Sequence, residues 1–310
     1  MPRTAAEFFS KSGGIKNVKL TELFDRGKFV VTSEVSPPKG ICVDEMLHEA
    51  TDYMQGLDGV NVTDNPSSVM RMSTLAACGA LLNKGVTPIY QLTCRDRNRL
   101  ALQSDLLGAA MMGIENLLLL TGDHTIRGDH PQARSVFDLD SVSLIHAVRQ
   151  LESGMDLAGN PLTSVSPSFA KGAALSPCSD SAAAQLSKME RKIMAGADYF
   201  QTQAVFDSEK FISFMEKAKA FNKPVQLGIV ILQSAEMAQF MNDFLAGVSI
   251  PQDMINELAR DPQRAASGET GLEIAARIIK ECRPYCQGVH IMAAGWEHLV
   301  PDLLKLAELK

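Results

Sequence analysis

Seven polar residues stand at the ends of otherwise apolar, β-rich runs in this chain: Glu34, Thr63, Gln91, Thr93, Asp123, Lys171 and Gln203. Two of them are carboxylates that can hold or move a proton, four are neutral hydrogen-bonding groups, and one is a cation. Asp123 follows Gly122 after the four leucines 117–120, so its carboxylate is expected just outside a buried strand. Glu34 is followed by Val-Ser-Pro37-Pro38, which stiffens the chain behind it and limits where the side chain can point. A cap or loop role explains any single member of the set equally well. Other chemistries find little. No Gly-x-Gly-x-x-Gly follows a strand and no Gly-Lys-Ser/Thr loop occurs, which weakens dinucleotide and P-loop folds. His48-Glu49 has Asp52 where a zinc-binding helix needs a second histidine. His124 and His130 flank a loop with Asp123 and Asp129 that reads as solvated, and Cys282 and Cys286, with Pro284 between them, read as buried or half-buried thiols.

The elements that must position these residues alternate in type. Strand-like runs occur at 28–34, 59–63, 86–93, 116–121, more weakly at 167–172, then at 198–203, 224–230 and 288–292. Helical patterns lie between them, at 43–55, 138–152, 182–195 and 208–221. Strands alternating with helices imply a parallel sheet, and the count of eight favours a closed (β/α)8 TIM barrel over an open doubly wound sheet. Gly56, Gly85, Gly113 and Gly196 fall where helices must end before strands. The length of 310 residues suits one barrel (21–310) with an N-terminal arm (1–20) and a C-terminal helix. A composition of 45% hydrophobic and 21% charged residues excludes a disordered chain. A net charge of −6 argues against nucleic-acid binding by general electrostatics. No apolar run approaches the ~18 residues of a membrane span. The first residues lack the apolar core of a secretory signal, so a cytoplasmic protein is expected.

In order along the chain, the motifs Thr32-Ser-Glu34-Val-Ser-Pro-Pro38, Val60-Asn-Val-Thr63, Leu92-Thr-Cys94, Leu119-Leu-Thr-Gly-Asp123, Arg191-Lys192-Ile-Met-Ala-Gly-Ala197-Asp, Thr202-Gln203-x-x-Phe206-Asp207 and Gly228-Ile229 resemble those of the methylenetetrahydrofolate reductase family. The resemblance runs from about residue 22 to the C-terminus. It implies a flavin-binding barrel that reduces 5,10-methylenetetrahydrofolate to 5-methyltetrahydrofolate. It makes Glu34 the acid that assists opening of the substrate ring, and Asp123 a carboxylate beside the flavin and the pterin. Gln203 becomes a folate-binding amide. Thr63, Gln91, Gly122, Asp123, Ala170, Arg191 and Lys192 become cofactor-side positions, the two basic residues being suited to phosphate.

The chain also departs from the family pattern. Members that use pyridine nucleotide directly carry Tyr-Pro-x-x-His-Pro after strand five, where this chain has Gly172-Ala-Ala-Leu-Ser-Pro177. The flavin-side histidine is Gln91, and the phenylalanine after strand seven is Ala235. FAD is the cofactor implied by resemblance and FMN the alternative. With the ending Gly288-Val-His-Ile-Met-Ala-Ala-Gly-Trp-Glu297, these changes look more like the catalytic subunit of the acetogenic-bacterium branch, in which an iron–sulfur (or zinc-containing) partner subunit delivers electrons. Six cysteines without cluster spacing put any such cluster on another chain, in a heteromer or other oligomer. Two other readings compete. One is a flavin-free lyase or aldolase using Lys171 or Lys192 as a Schiff-base amine; the other is a non-catalytic barrel scaffold.

Overall fold

The computed structural model describes residues 17–244 and 248–309. Eight parallel strands close into a barrel in sequence order: β1 (Val30–Val35), β2 (Gly59–Val62), β3 (Pro88–Thr93), β4 (Asn116–Leu120), β5 (Ala170–Leu175), β6 (Tyr199–Ala204), β7 (Val225–Val230) and β8 (Gly288–Met292). β8 closes the ring on β1, with Val30 opposite Gly288 and Thr32 opposite His290. The α-helices are α1 (Leu20–Asp25), α2 (Asp44–His48), α3 (Thr74–Asn83), α4 (Arg99–Met112), α5 (Ser141–Glu152), α6 (Ala182–Ala195), α7 (Ser208–Ala218), α8 (Ala235–Phe244), α9 (Gln252–Arg260), α10 (Pro262–Ala266), α11 (Glu269–Cys282) and α12 (Val300–Leu306). The closed barrel and its C-terminal helix are as the sequence led us to expect. The arm expected at 1–20 lies outside the described residues except for its last four.

Strand five is the one that differs. Its ladder runs over 170–175, three residues later than the expected end at 172. The run Ala-Lys-Gly-Ala-Ala-Leu has no β-branched or aromatic residue, so local preference conceals it. Tertiary packing supplies what propensity lacks: a Cβ on Gly172 would sit 2.5 Å from Cζ of Tyr199 and 2.8 Å from the Leu117 carbonyl. Only a bare backbone lets β4, β5 and β6 approach around that tyrosine, whose hydroxyl donates to the Leu117 carbonyl at 3.0 Å.

Successive side chains alternate between the barrel interior and the helices. Outward residues such as Val31, Val60, Leu92, Leu119 and Phe200 join the main core under the helices. Inward residues form three tiers. The lowest is apolar, with Val30, Ile89, Leu118, Ala170 and Tyr199 packed on Leu20 of α1, which floors the barrel. Asn116 fixes that floor, accepting from the Leu20 amide at 2.8 Å and donating to the Val18 carbonyl at 3.0 Å. The middle tier is polar and the upper tier opens to solvent. Helices start at this upper end on side-chain caps: Asn98 for α4, Asp140 and Ser143 in a capping box for α5, Ser181 for α6 and Asp207 for α7.

Candidate active site

Glu34, Gln91 and Gln203 occupy the upper tier or strand ends, with Thr63, Gly122 and Asp123 in the residues that leave β2 and β4. All six therefore gather at the C-terminal mouth, where barrels carry their chemistry. Glu34 is about a quarter exposed, and its Oε2 lies 3.5 Å from Nε2 of His290. The other ring nitrogen of His290, Nδ1, is 3.0 Å from the Thr32 hydroxyl. Glu34 and Thr32 are two apart on β1, so both side chains point inward, and barrel closure brings His290 of β8 between them.

Glu34 lines a cavity of about 380 Å³ together with Cys42, Glu45, Glu49, Arg71 and Glu297. Glu49 sits in a π-helical turn, Glu49–Tyr53, that follows α2 where the sequence suggested one continuous helix. Burial, then repulsion from Glu297 and Glu45, pushes its carboxyl up to about 7. The folded chain thus holds a proton that the unfolded chain releases above about 4.5. Stability from this group is full below about pH 4.5 and declines as pH rises through about 7. Glu49→Gln is expected to flatten that part of the profile and to stabilise the protein at pH 8. Screening in the half-open cavity keeps the gain to about 1 kcal/mol or less. Thermal melts across pH check this; an unchanged slope between pH 5 and 7 contradicts it.

On the opposite side of the mouth, Asp123 is half exposed, with Arg127 as its nearest cation at 3.8 Å. Gly122 before it has φ +92°, and a Cβ there would lie 3.1 Å from Thr93 Cβ and 3.2 Å from Arg95 Cβ. Glycine is needed both for the left-handed turn and for closeness to β3. Gln91 is 7% exposed. No described residue hydrogen-bonds its amide, which leaves donors and an acceptor turned into the mouth. The amine of Lys192 reaches from α6 to the Ala174 carbonyl at 2.6 Å. Burial first, and then Lys188 and Arg191, lower it to about 8. Arg191 is exposed on the same helix. Thr63 is buried, and its hydroxyl turns to Ser36 at 3.1 Å, tying β2 to the chain leaving β1. Gln203 is exposed at the end of β6.

Two candidates do not join this group. Ala170 is the first residue of β5, in the apolar floor tier, because the strand starts later than the sequence suggested. The small residue that reaches the upper tier on β5 is Ala174. Lys171 lies at the same lower end with its side chain outside the barrel, between Glu152 at 3.0 Å and Asp198 at 2.9 Å. Burial alone would lower its pKa, but the two carboxylates outweigh that and raise it. A doubly paired ammonium is a poor Schiff-base amine.

Sequence reading missed other residues. Thr32, Asn61, Gln201, Gln226 and His290 form the polar middle tier, each at most 4% exposed. Each is a polar residue inside a strand, a weak signal until the strands are paired. Asp64, just past β2, is buried and receives Thr93 from both backbone and hydroxyl (2.9 and 2.8 Å) and Arg97 at 2.8 Å. Asp129 draws together three mouth loops. It pairs with Lys39 at 2.5 Å from the β1 loop, accepts the Met70 amide at 3.0 Å from the β2 loop, and meets His130 of its own loop at 2.8 Å. Lys39, then His130 and the Met70 amide, hold its carboxyl well below the usual range.

The family model described as methylenetetrahydrofolate reductase matches residues 19–308. A 5,10-methylenetetrahydrofolate reductase of Pectobacterium carotovorum subsp. carotovorum is 26% identical over 271 residues, covering 85% of this chain and 84% of that protein. The 5,10-methylenetetrahydrofolate reductase of Salmonella typhimurium is 25% identical over 243 residues, covering 77% and 75%. Among solved structures, an uncharacterized Clostridium thermocellum protein that binds two copies of 5-methyl-5,6,7,8-tetrahydrofolic acid superposes with a TM-score of 0.61. It does so at 15% identity over 94% of this chain and 99% of that one, a likeness of fold.

Proposed function

The chain belongs to the methylenetetrahydrofolate reductase family and is an oxidoreductase, and from that premise we propose that its mouth reduces 5,10-methylenetetrahydrofolate to 5-methyltetrahydrofolate with a bound flavin. The observation that carries this reading is Glu34, a partly exposed carboxyl backed by His290 and Thr32 on one side of the mouth, with Asp123 on the other.

The residues on the cofactor side fit a flavin. The Gln91 amide offers the mixed donors and acceptor that a flavin pyrimidine edge needs, and Gly122 presents bare backbone at the same place. Lys192 and Arg191 lie beyond them for phosphate. Lys192 is the stronger candidate, since its amine reaches the Ala174 carbonyl. When bound and reduced, a flavin supplies hydride. Glu34 holds the proton that converts the bridging aminal of the substrate into an open iminium, and Gln203 offers an amide to the pterin edge. Asp123 favours positive charge developing on the substrate and disfavours extra negative charge on the cofactor. The C. thermocellum protein's 5-methyltetrahydrofolate is the methylated product class, which supports folate as the ligand of this fold.

Asp123→Asn is expected to raise the flavin midpoint potential, because a negative charge beside the ring is removed. Potentiometric titration reads this directly; an unchanged or lowered potential places the carboxylate away from the cofactor.

The electron donor on this reading is an iron–sulfur partner subunit, because Ala235 cannot stack on a nicotinamide ring. The test of the whole reading is the purified chain itself. Released flavin, identified chromatographically as FAD or FMN, supports it, and a colourless chain does not. In anaerobic stopped flow the isolated chain is expected to bleach slowly with NADH and rapidly with a low-potential artificial donor. Bleaching by NADH at the rate of overall turnover overturns the partner assignment.

A further inference from the structure

The polar middle tier continues beneath Glu34 as one directed chain of hydrogen bonds. Asn61 Nδ2 donates to Gln201 Oε1 at 2.9 Å, Gln201 Nε2 donates to Gln226 Oε1 at 3.0 Å, and Gln226 Nε2 donates to the Thr32 hydroxyl at 3.0 Å. Thr32 meets His290 Nδ1 at 3.0 Å, and His290 Nε2 faces Glu34. Asn61, Gln226 and Thr32 are fully buried, and Gln201 and His290 nearly so. Four strands besides β1 contribute, so the chain crosses the interior of the barrel.

Its direction is anchored by a group that cannot be reversed. The second proton of Gln226 Nε2 goes to the Val289 backbone carbonyl at 3.4 Å, and a carbonyl only accepts. The Gln226 amide nitrogen must therefore face β8 and Thr32, and its oxygen must face Gln201. Thr32 then already accepts one hydrogen bond. Its own proton has two places to go: the Val289 carbonyl, at the long distance of 3.5 Å, or His290 Nδ1 at 3.0 Å. The shorter bond prevails. A Nδ1 that accepts leaves the proton of the neutral ring on Nε2, the nitrogen that faces Glu34.

We propose that Gln226, together with Gln201 and Asn61 behind it, is a positioning residue for Glu34: the amide chain fixes His290 as the Nε2–H tautomer through Thr32. This inference rests on the assignment of Glu34 as the acid. The tautomer decides what the acid can do. An N–H directed at Oε2 engages that oxygen as an acceptor and leaves the acidic proton for Oε1, which is free to face substrate. A bare Nε2 would instead accept the carboxyl's proton and draw it away from the substrate. Gln226 lies two residues below the upper tier on β7 and acts only through its neighbours.

The first test uses the unaltered protein without folate. With 15N-labelled histidine, the resonances of His290 are assigned among the six histidines by their loss in His290→Gln. At pH 8 the expected result is a proton on Nε2 and a hydrogen-bonded, unprotonated Nδ1. A proton on Nδ1, or an averaged mixture of tautomers, overturns the inference. Gln226→Met keeps the volume and removes the directing amide. It is expected to give mixed tautomers and a folate half-reaction slowed about tenfold or more, with reduction of the flavin by dithionite unchanged. A Gln226→Met chain that keeps the single Nε2–H tautomer overturns the inference. If that variant does not fold, Thr32→Val carries the same expectation and Thr32→Ser restores the tautomer; a single Nε2–H tautomer in Thr32→Val is likewise decisive against it. A fixed Nε2–H tautomer in a chain that never turns over methylenetetrahydrofolate leaves this inference standing and overturns the assignment of function instead.

Discussion

Glu34→Gln is expected to slow the methylenetetrahydrofolate half-reaction by about 10²-fold or more, the usual range for a positioned general acid. Reduction of the flavin by an artificial donor is expected to proceed at the wild-type rate. The substitution is a clean one in this setting. Glutamine fills the same volume and keeps a side-chain oxygen beside Nε2 of His290, so what disappears is the transferable proton. Single-turnover measurements of the two half-reactions separate these effects. Equal damage to both would mean that Glu34 supports the cofactor or the fold and does not serve the substrate.

A large effect on stability is expected at Gly228. A Cβ on this residue would lie 2.2 Å from the Thr202 carbonyl oxygen and 2.8 Å from that of Gln203. Both are backbone atoms and cannot rotate away. Here the register between β6 and β7 shifts, between Gln201 and Ala204. Thr202 closes the irregularity by accepting from the Gly228 amide at 2.8 Å and donating to the Gln203 carbonyl at 2.8 Å. The bulge turns Gln203 out at the strand end, so stability and site geometry depend on one contact. Gly228→Ala is expected to lose about 3 kcal/mol, the upper part of the usual overpacking range. The surviving fraction is expected to bind folate more weakly. Urea unfolding and folate titration check the two parts, and a wild-type midpoint would show that the sheet yields more easily than this geometry implies.

The sequence disclosed the barrel because seven of its strands carry apolar, β-prone runs, and Gly56, Gly85, Gly113 and Gly196 stop the helices ahead of four of them. Gly113 and Gly196 take φ of +85° and +122° at those ends. β5 was displaced because alanine, glycine and lysine carry no strand signal, and Ala170, which the resemblance put on the cofactor side, lies at the start of that strand. The mouth residues were legible because each stands at the end of an apolar run. The middle tier was not, because a polar residue inside a strand reads as local noise until its partners are known. Gln226 and Thr32 are 194 residues apart, and only barrel closure pairs them. Asp129 posed the same difficulty, since its partner Lys39 is 90 residues away in another loop.

Glu34 and His290 also occupy the seam where the ring is joined, on the first strand and the last. Thr32 and His290 are separated by 258 residues, so their contact is among the costliest in chain entropy and is unavailable until β8 has docked. A ribosome will have released strands one to seven before it supplies the histidine. A chain that ends before β8 leaves Glu34 without His290 beside it. On the proposed reading, competence at the mouth therefore waits for β8, the last strand to join the barrel.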